Sequence, residues 1–179
     1  ACVTALVGEN GAGKSTLMKI LAGVISPTSG EMRLNGERVV FNSVHDASAK
    51  GIGIVFQELN LCPNLSISEN IFLTHPFTKV GVHIDRKRQF ERAAQLLSRL
   101  EHDLSPDALV GDLPIGEQQI VEIAKALSRD VQVLIMDEPT SALSEAEVEV
   151  LFRVIEELKR AGVAIIYISH RREELTRIA

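Results

Sequence analysis

The sequence predicts an α/β domain with a mostly parallel sheet and a helical subdomain inserted in its middle. Three observations predict it. Short, near-continuous apolar runs at residues 1–7, 52–56, 131–136 and 163–168 alternate with helical patterns, as strands covered on both faces do. A glycine-rich turn at residues 8–13 joins the first run to a helix. Between about residues 58 and 128 the apolar period becomes helical. The 179 residues suffice for one core plus a small inserted subdomain.

Taken in order, residues 1–7 read as a buried strand and 14–22 as a helix that stops at Gly23. Residues 31–34 and 38–41 form a hairpin around Asn35-Gly36, a dipeptide that tolerates two left-handed residues in succession. After the strand at 52–56, Ser66 and Glu69 have capping-box spacing ahead of a helix at 70–73. A loop with Pro76 and Gly81 follows. A helix over 85–101 places Phe90, Ala93, Ala94, Leu97 and Leu100 on one face, and one over 117–128 turns Ile120, Ile123, Ala124 and Leu127 inward. A strand at 131–136 precedes a second capping box, Ser144 and Glu147. The helix it starts gathers Val148, Leu151, Phe152, Ile155 and Leu158 on one face and ends at Ala161-Gly162. The last strand, 163–168, leads into a charged helical run at 171–179. The expected division is a core of residues 1–57 and 129–179 with a helical subdomain at 58–128.

Composition narrows the function. The formal net charge of -5 gives no reason to expect a nucleic-acid partner, and Arg86, Lys87 and Arg88 read as a solvated helix start. Cys2 and Cys62 lack metal-ligand spacing and make no disulfide framework, which favours a reducing compartment. No apolar run reaches the ~18 residues of a membrane span, so any work at a membrane goes through a partner.

Gly8-Glu9-Asn10-Gly11-Ala12-Gly13-Lys14-Ser15 matches the phosphate-loop pattern and sits between a strand and a helix, as that loop requires. Glycines let the backbone wrap phosphates and aim its N–H groups inward, and the helix N-terminus adds positive potential. Lys14 offers a cation to the β/γ-phosphates and Ser15 a hydroxyl to Mg²⁺. Residues Gly8 to Ser15, together with Thr16, are the candidate nucleotide contacts, for ATP with Mg²⁺. The strand at 131–136 ends in Asp137-Glu138, where parallel sheets place their ligands. Asp137 is the candidate metal ligand and Glu138 the candidate general base.

In this order along the chain the features resemble the ABC ATPases, P-loop proteins with an inserted helical subdomain. Gln57, after the strand at 52–56, resembles the glutamine that senses Mg²⁺ and the attacking water. Asp137-Glu138-Pro139-Thr140-Ser141-Ala142-Leu143 resembles the Walker B to D-loop run, with Ser144 in place of the usual aspartate. Tyr167-Ile168-Ser169-His170 resembles the H-loop, whose histidine contacts the γ-phosphate. Leu113-Pro114-Ile115-Gly116-Glu117 stands where the family has its LSGGQ signature. Leu113 and Gly116 match it, while Pro114, Ile115 and Glu117 depart from it. Pro114 lacks the hydroxyl that would reach the γ-phosphate across a dimer, and Glu117 adds negative charge there.

Residues 115–127 are similar to the ATPases of monosaccharide importers, of the ribose, galactose, xylose and autoinducer-2 type. Tyr167-Ile168-Ser169-His170-Arg171 fits the same group. The resemblance implies the N-terminal half of a two-half polypeptide that hydrolyses ATP at the cytoplasmic face of the membrane. Its implied partners are a second ATPase half, fused or dimeric, membrane permease subunits and, indirectly, a periplasmic binding protein. The ends read as cut from a longer protein, and the aromatic on which the family stacks adenine has no counterpart among these residues. Two other readings remain open: a soluble ABC ATPase of DNA repair or translation, and an ATP-binding clamp with degenerate hydrolysis.

Overall fold

A computed structural model describes residues 2–9, 11–79 and 83–178, apart from the Arg172 side chain. The expected strand start at Ala1, the candidate Asn10, the loop glycine Gly81 and the helix end at Ala179 lie outside them. The chain divides into two compact units.

The first unit comprises Ala1–Val55, Asp130–Glu138 and Leu158–Ala179. Its strands are β1 (Val3–Leu6), the hairpin strands β2 (Met32–Leu34) and β3 (Glu37–Val39), β4 (Ile52–Val55), β5 (Val133–Asp137) and β6 (Ala164–Ile168). β1, β6, β5 and β4 lie in that order in one parallel sheet, as the apolar runs predict. The central strands are dry, with Leu134, Ile135, Met136 and Tyr167 fully buried. β1 is an edge strand and only partly covered, where a buried one was expected.

Helix α1 (Lys14–Leu21) sets Met18 into a core with Phe41, Ala47, Ile52, Ile135 and Ile168. It stops as predicted: Gly23 takes φ 72°, and the N–H groups of Gly23 and Val24 return to the carbonyls of Ile20 (3.0 Å) and Lys19 (2.8 Å). Asn35 (φ 52°) and Gly36 (φ 85°) make the expected hairpin turn. Helix α2 (Val44–Ala49), capped by Ser43 on the Asp46 N–H, has no counterpart in the sequence reading. Six residues carry too little periodicity to register as a helix.

The second unit comprises Phe56–Arg129 and Pro139–Glu157. It holds α3 (Ile67–Ile71), α4 (Arg86–Arg99), a 3-10 turn (Val110–Asp112), α5 (Ile115–Ala126) and most of α6 (Glu145–Arg160). Both capping boxes form: Ser66 and Glu69 exchange hydrogen bonds, as do Ser144 and Glu147. The buried stripe of α4 is rotated from the expected one. It runs through Gln89, Ala93, Leu96, Leu97 and on to Leu100, the face that packs toward α3 and α5. Phe90 is thereby turned outward and lines a cavity of about 670 Å³ with Ala94, His102 and Pro106.

The sequence reading keeps all of 129–179 in the core, whereas residues 139–157 group with the second unit. Ion pairs reach from them to the rest of that unit, Arg153 to Glu101 at 2.7 Å and Arg99 to Glu157 at 3.2 Å, and His102 Nε2 lies 3.7 Å from Glu147 Oε1.

Gly23 and Gly162 separate two costs of adding a methyl group. Both have positive φ (72° and 94°), but a Cβ on Gly23 runs into the Ser43 carbonyl while one on Gly162 meets nothing within 4 Å. Gly162→Ala should cost about 1 kcal/mol of left-handed backbone strain, and Gly23→Ala at least about 2 kcal/mol. Urea unfolding of the two variants measures the difference.

Candidate functional site

Parallel strands end on one side of a sheet, and their register decides which ends are neighbours. Leu6 of β1 pairs with Ile168 of β6, and Ile168 pairs with Asp137 of β5. The glycine loop, the residues after Ile168 and Glu138 therefore leave the sheet at the same edge.

The loop is shaped by three glycines for two reasons. Gly11 (φ 83°) and Gly13 (φ 89°) hold left-handed backbone, which other residues reach at a cost. Gly8 is constrained by space, since a Cβ there would stand 3.3 Å from the Ala12 Cβ. The Ala12 N–H closes the turn on the Glu9 carbonyl at 3.1 Å. Gly13 caps α1 with no side-chain hydrogen bond, and no acid stands in the first turn. The N–H groups of that turn, with the positive end of the helix, are left facing outward. Lys14 bends back so that Nζ donates to the carbonyls of Gly8 (2.7 Å) and Glu9 (3.0 Å), which sets a positive charge over the loop. Glu9, Ser15 and Thr16 are exposed around it.

Across from the loop, the Ser15 hydroxyl stands near enough to the Asp137 carboxylate to pull its pKa down. Asp137 is 7% exposed. Burial pushes its pKa up, and the neighbouring Glu138 charge adds to that, while the Ser15 hydroxyl and the charges of Lys14 and Lys19 pull it back. Ser15 and Asp137 thus present two oxygen donors side by side. That is the set Mg²⁺ uses when phosphate oxygens and water complete its shell. Among the described residues no cluster of three acidic, histidine or cysteine side chains offers an all-protein metal cage.

Glu138 is the strained residue of the site. Its φ is 48°, uncommon for a residue with a side chain, and its N–H donates to the Ile168 carbonyl at 3.0 Å. The turn swings the carboxylate to His170, whose Nδ1 lies 3.1 Å from Glu138 Oε1. An ionised carboxylate only accepts, so in that form Glu138 places the ring proton on Nδ1.

The first unit therefore brings together Gly8, Glu9, Gly11, Ala12, Gly13, Lys14, Ser15, Thr16, Asp137, Glu138 and His170. The remaining candidates belong to the second unit. Gln57 is exposed there. Pro114 caps α5 with its carbonyl, which accepts the Gln118 N–H at 3.0 Å, and supplies no side-chain cap. The helix thus starts at Ile115, two residues before the expected 117. Leu113 accepts from Gln118 Nε2 at 2.9 Å, Ile115 is 60% exposed, and Glu117 stands in the first turn of α5. Gly116 lies against the D-loop backbone, where a Cβ would come within 3.1 Å of the Ala142 carbonyl oxygen.

Two sets of residues escaped the sequence reading. Glu122 and Lys125 of α5 clasp the backbone of Asn60, three positions after Gln57. Glu122 Oε1 accepts the Asn60 N–H at 2.6 Å, and Lys125 Nζ donates to its carbonyl at 2.6 Å. A glutamate inside the apolar run Ile120-Val121-Glu122-Ile123 was the signal available. Glu174 of α7 (Arg172–Ile178) is buried against Tyr167 and Ser169, and its only mark in the sequence is helical spacing from His170.

Residues 2–141 match the ABC transporter family. The sequence is 54% identical over 177 residues to a ribose import ATP-binding protein of Rhodopirellula baltica, covering 99% of this chain and 35% of that relative's length. The fold superposes with a TM-score of 0.80 on a dimeric post-hydrolysis state of an ATP-binding cassette bound to ADP and Pi, at 26% identity. The match covers 98% of this chain and 77% of that one. The ADP conformation of an ATP-binding cassette of an ABC transporter matches equally, with a TM-score of 0.80, 26% identity and coverage of 99% and 74%.

The raised pKa of Asp137 gives a test of sign. A carboxyl that holds its proton more tightly when folded makes the folded state bind more protons. Stability then falls as pH rises above the ordinary aspartate range near 4. Asp137→Asn should therefore unfold at a higher denaturant concentration than the parent at pH 7. The gain should vanish below about pH 4, where the parent's Asp137 is protonated in both states. Denaturant titrations at the two pH values check it.

Proposed function

The chain belongs to the ABC transporter family, and from that premise we propose that it is the ATP-binding and hydrolysing core of the energising subunit of a sugar importer. The observation that carries the catalytic reading is the Glu138–His170 pair at 3.1 Å, set by the strand register at the same end of the sheet as the phosphate loop and Asp137. The reaction is ATP and water to ADP and phosphate. Backbone N–H groups of residues 11–15 cradle the β/γ-phosphates, and Lys14 shifts from its own loop carbonyls to their oxygens. Ser15 and Asp137 would hold Mg²⁺, which when bound would offset the charge on the phosphate oxygens. Glu138 orients the attacking water and takes its proton, and His170 holds the carboxylate in place and reaches toward the γ-phosphate.

Sugar import is the reading supported by the high identity to the Rhodopirellula baltica protein, which spans 99% of this chain. Residues 115–127 share their pattern with the monosaccharide group. Because the chain covers 35% of that relative's length, a second ATPase half, permease subunits and peripheral attachment at the cytoplasmic face belong to the proposal for the whole protein. Among the described residues no helix is long and apolar enough to cross a membrane. Gln57 is assigned to sensing the attacking water, and residues 113–117 to the nucleotide of a partner core.

One observation favours a slower variant of the same machine, an ATP-binding clamp. Pro114 presents neither hydroxyl nor N–H at the start of α5, and Glu117 adds negative charge to that turn. The backbone N–H groups of residues 115–117 remain as donors toward phosphate.

Hydrolysis of Mg-ATP measured against protein concentration tests both readings. Lys14→Ala should weaken Mg-ATP binding about 10- to 100-fold, the worth of a charge-assisted hydrogen bond. Glu138→Gln should keep binding and lower turnover about 10²- to 10⁴-fold. Rapid turnover by Glu138→Gln overturns the general-base role. Single-turnover hydrolysis absent from the parent, with binding intact, selects the clamp.

A further inference from the structure

His170 has little to hold it. Its side chain is 72% exposed, and its hydrogen bond is to Glu138, whose carboxylate is the group it has to position. The orientation of the ring is therefore set by the backbone on either side of it. Both flanking residues are tied to one buried carboxylate. Glu174, 6% exposed, accepts from the Ser169 hydroxyl at 2.7 Å and the Tyr167 hydroxyl at 3.0 Å through Oε2. Through Oε1 it accepts from Arg171 Nη1 at 3.3 Å. The Ser169 oxygen in turn accepts the Arg171 N–H at 3.0 Å, closing the turn around His170.

Burying a carboxylate is costly unless its lone pairs are filled, and Tyr167, Ser169 and Arg171 donate to this one, the last two adjacent to His170. Tyr167 is fully buried in the central strand β6, so the network is anchored to the part of the molecule least able to move. Glu174 also stands in the first turn of α7, where the helix dipole favours its charge. A fully satisfied buried network of this kind rigidifies what it touches. What it touches here is the one-residue span that carries His170.

We propose that Glu174 is a positioning residue for hydrolysis: by gripping Tyr167, Ser169 and Arg171 it fixes the backbone at His170 and thereby the His170–Glu138 pair. This rests on the assignment of Glu138 and His170 to the hydrolytic step. Its signature is a loss in kcat without a loss in nucleotide affinity, because the phosphate loop lies on other residues. It also acts only through His170, so its effect disappears once the imidazole is gone.

The experiment measures kcat and KM for Mg-ATP in membrane vesicles containing the full-length protein that carries this chain. The variants are His170→Ala, Glu174→Gln, Tyr167→Phe and the double variant of His170→Ala with Glu174→Gln. We expect His170→Ala to lower kcat about 100-fold and Glu174→Gln about 10-fold, with KM within about twofold, as small misplacements of catalytic groups do. Tyr167→Phe, which keeps the ring packing and the Glu174 charge, should lower kcat about threefold. The double variant should match His170→Ala alone.

A Glu174→Gln kcat within twofold of the parent overturns the proposal. So does a fall that multiplies with that of His170→Ala, or one mirrored in KM, since either marks a role in folding alone. If Glu174→Gln does not fold, Tyr167→Phe decides, and an unchanged kcat there overturns the proposal. Full activity of His170→Ala instead overturns the assignment of His170 on which it rests.

Discussion

A carboxylate at the end of a dry strand is costly unless something polar or charged faces it, and Asp137 has the Ser15 hydroxyl and the Lys14 and Lys19 charges pulling its pKa down against burial. Those groups can face it only if β5 and the start of α1 come to the same end of the sheet. The parallel register brings them there, since Leu6, Ile168 and Asp137 form one row across three strands. The loop that follows β1, the turn that follows β5 and the histidine that follows β6 are consequences of that row. Burial that would be a liability in a structural aspartate becomes useful here, because a carboxylate poorly solvated by water is a ready ligand for a cation.

The same edge stores strain. Glu138 holds left-handed backbone at φ 48°, and no glycine relieves it. Strain of this kind persists where neighbouring contacts over-determine the conformation. The Glu138 N–H on the Ile168 carbonyl and the His170 imidazole on its carboxylate are two such contacts. The Glu174 network behind Ser169 and Arg171 supplies the rigidity those contacts require. Stability is given up at Asp137 and Glu138 and recovered in the fully buried residues of β5 and β6.

The second unit has its own internal logic. The start of α5 is built from backbone: Pro114 caps it with a carbonyl, and Gly116 is required by the nearness of the Ala142 carbonyl. Further along α5, Glu122 and Lys125 hold Asn60 by both of its backbone groups. The segment following Gln57 and the helix that starts at Ile115 are therefore mechanically one piece. A departure from the family signature at Pro114 and Ile115 leaves that piece intact, because its joints lie elsewhere.

Patterns local along the chain were legible from the sequence by itself: the glycine loop, both capping boxes, the Asn35-Gly36 turn, the helix stop at Gly23 and the apolar strands that end at Asp137 and Ile168. The loop, caps and turns are dictated by backbone sterics or hydrogen bonding within a few residues, and the strands announce themselves as short apolar runs that must be covered on both faces. Helix α2 was too short to carry a period. The α4 stripe was set by which face its neighbours cover, which turned Phe90 outward and Gln89 in. Only the tertiary structure decided that Ser15 comes near Asp137, that His170 meets Glu138 across 32 residues, and that Glu122 reaches back 62 residues to Asn60. The reason is physical: a polar side chain in water has no preferred partner. It acquires one when the fold brings a donor or acceptor from a distant part of the chain within reach.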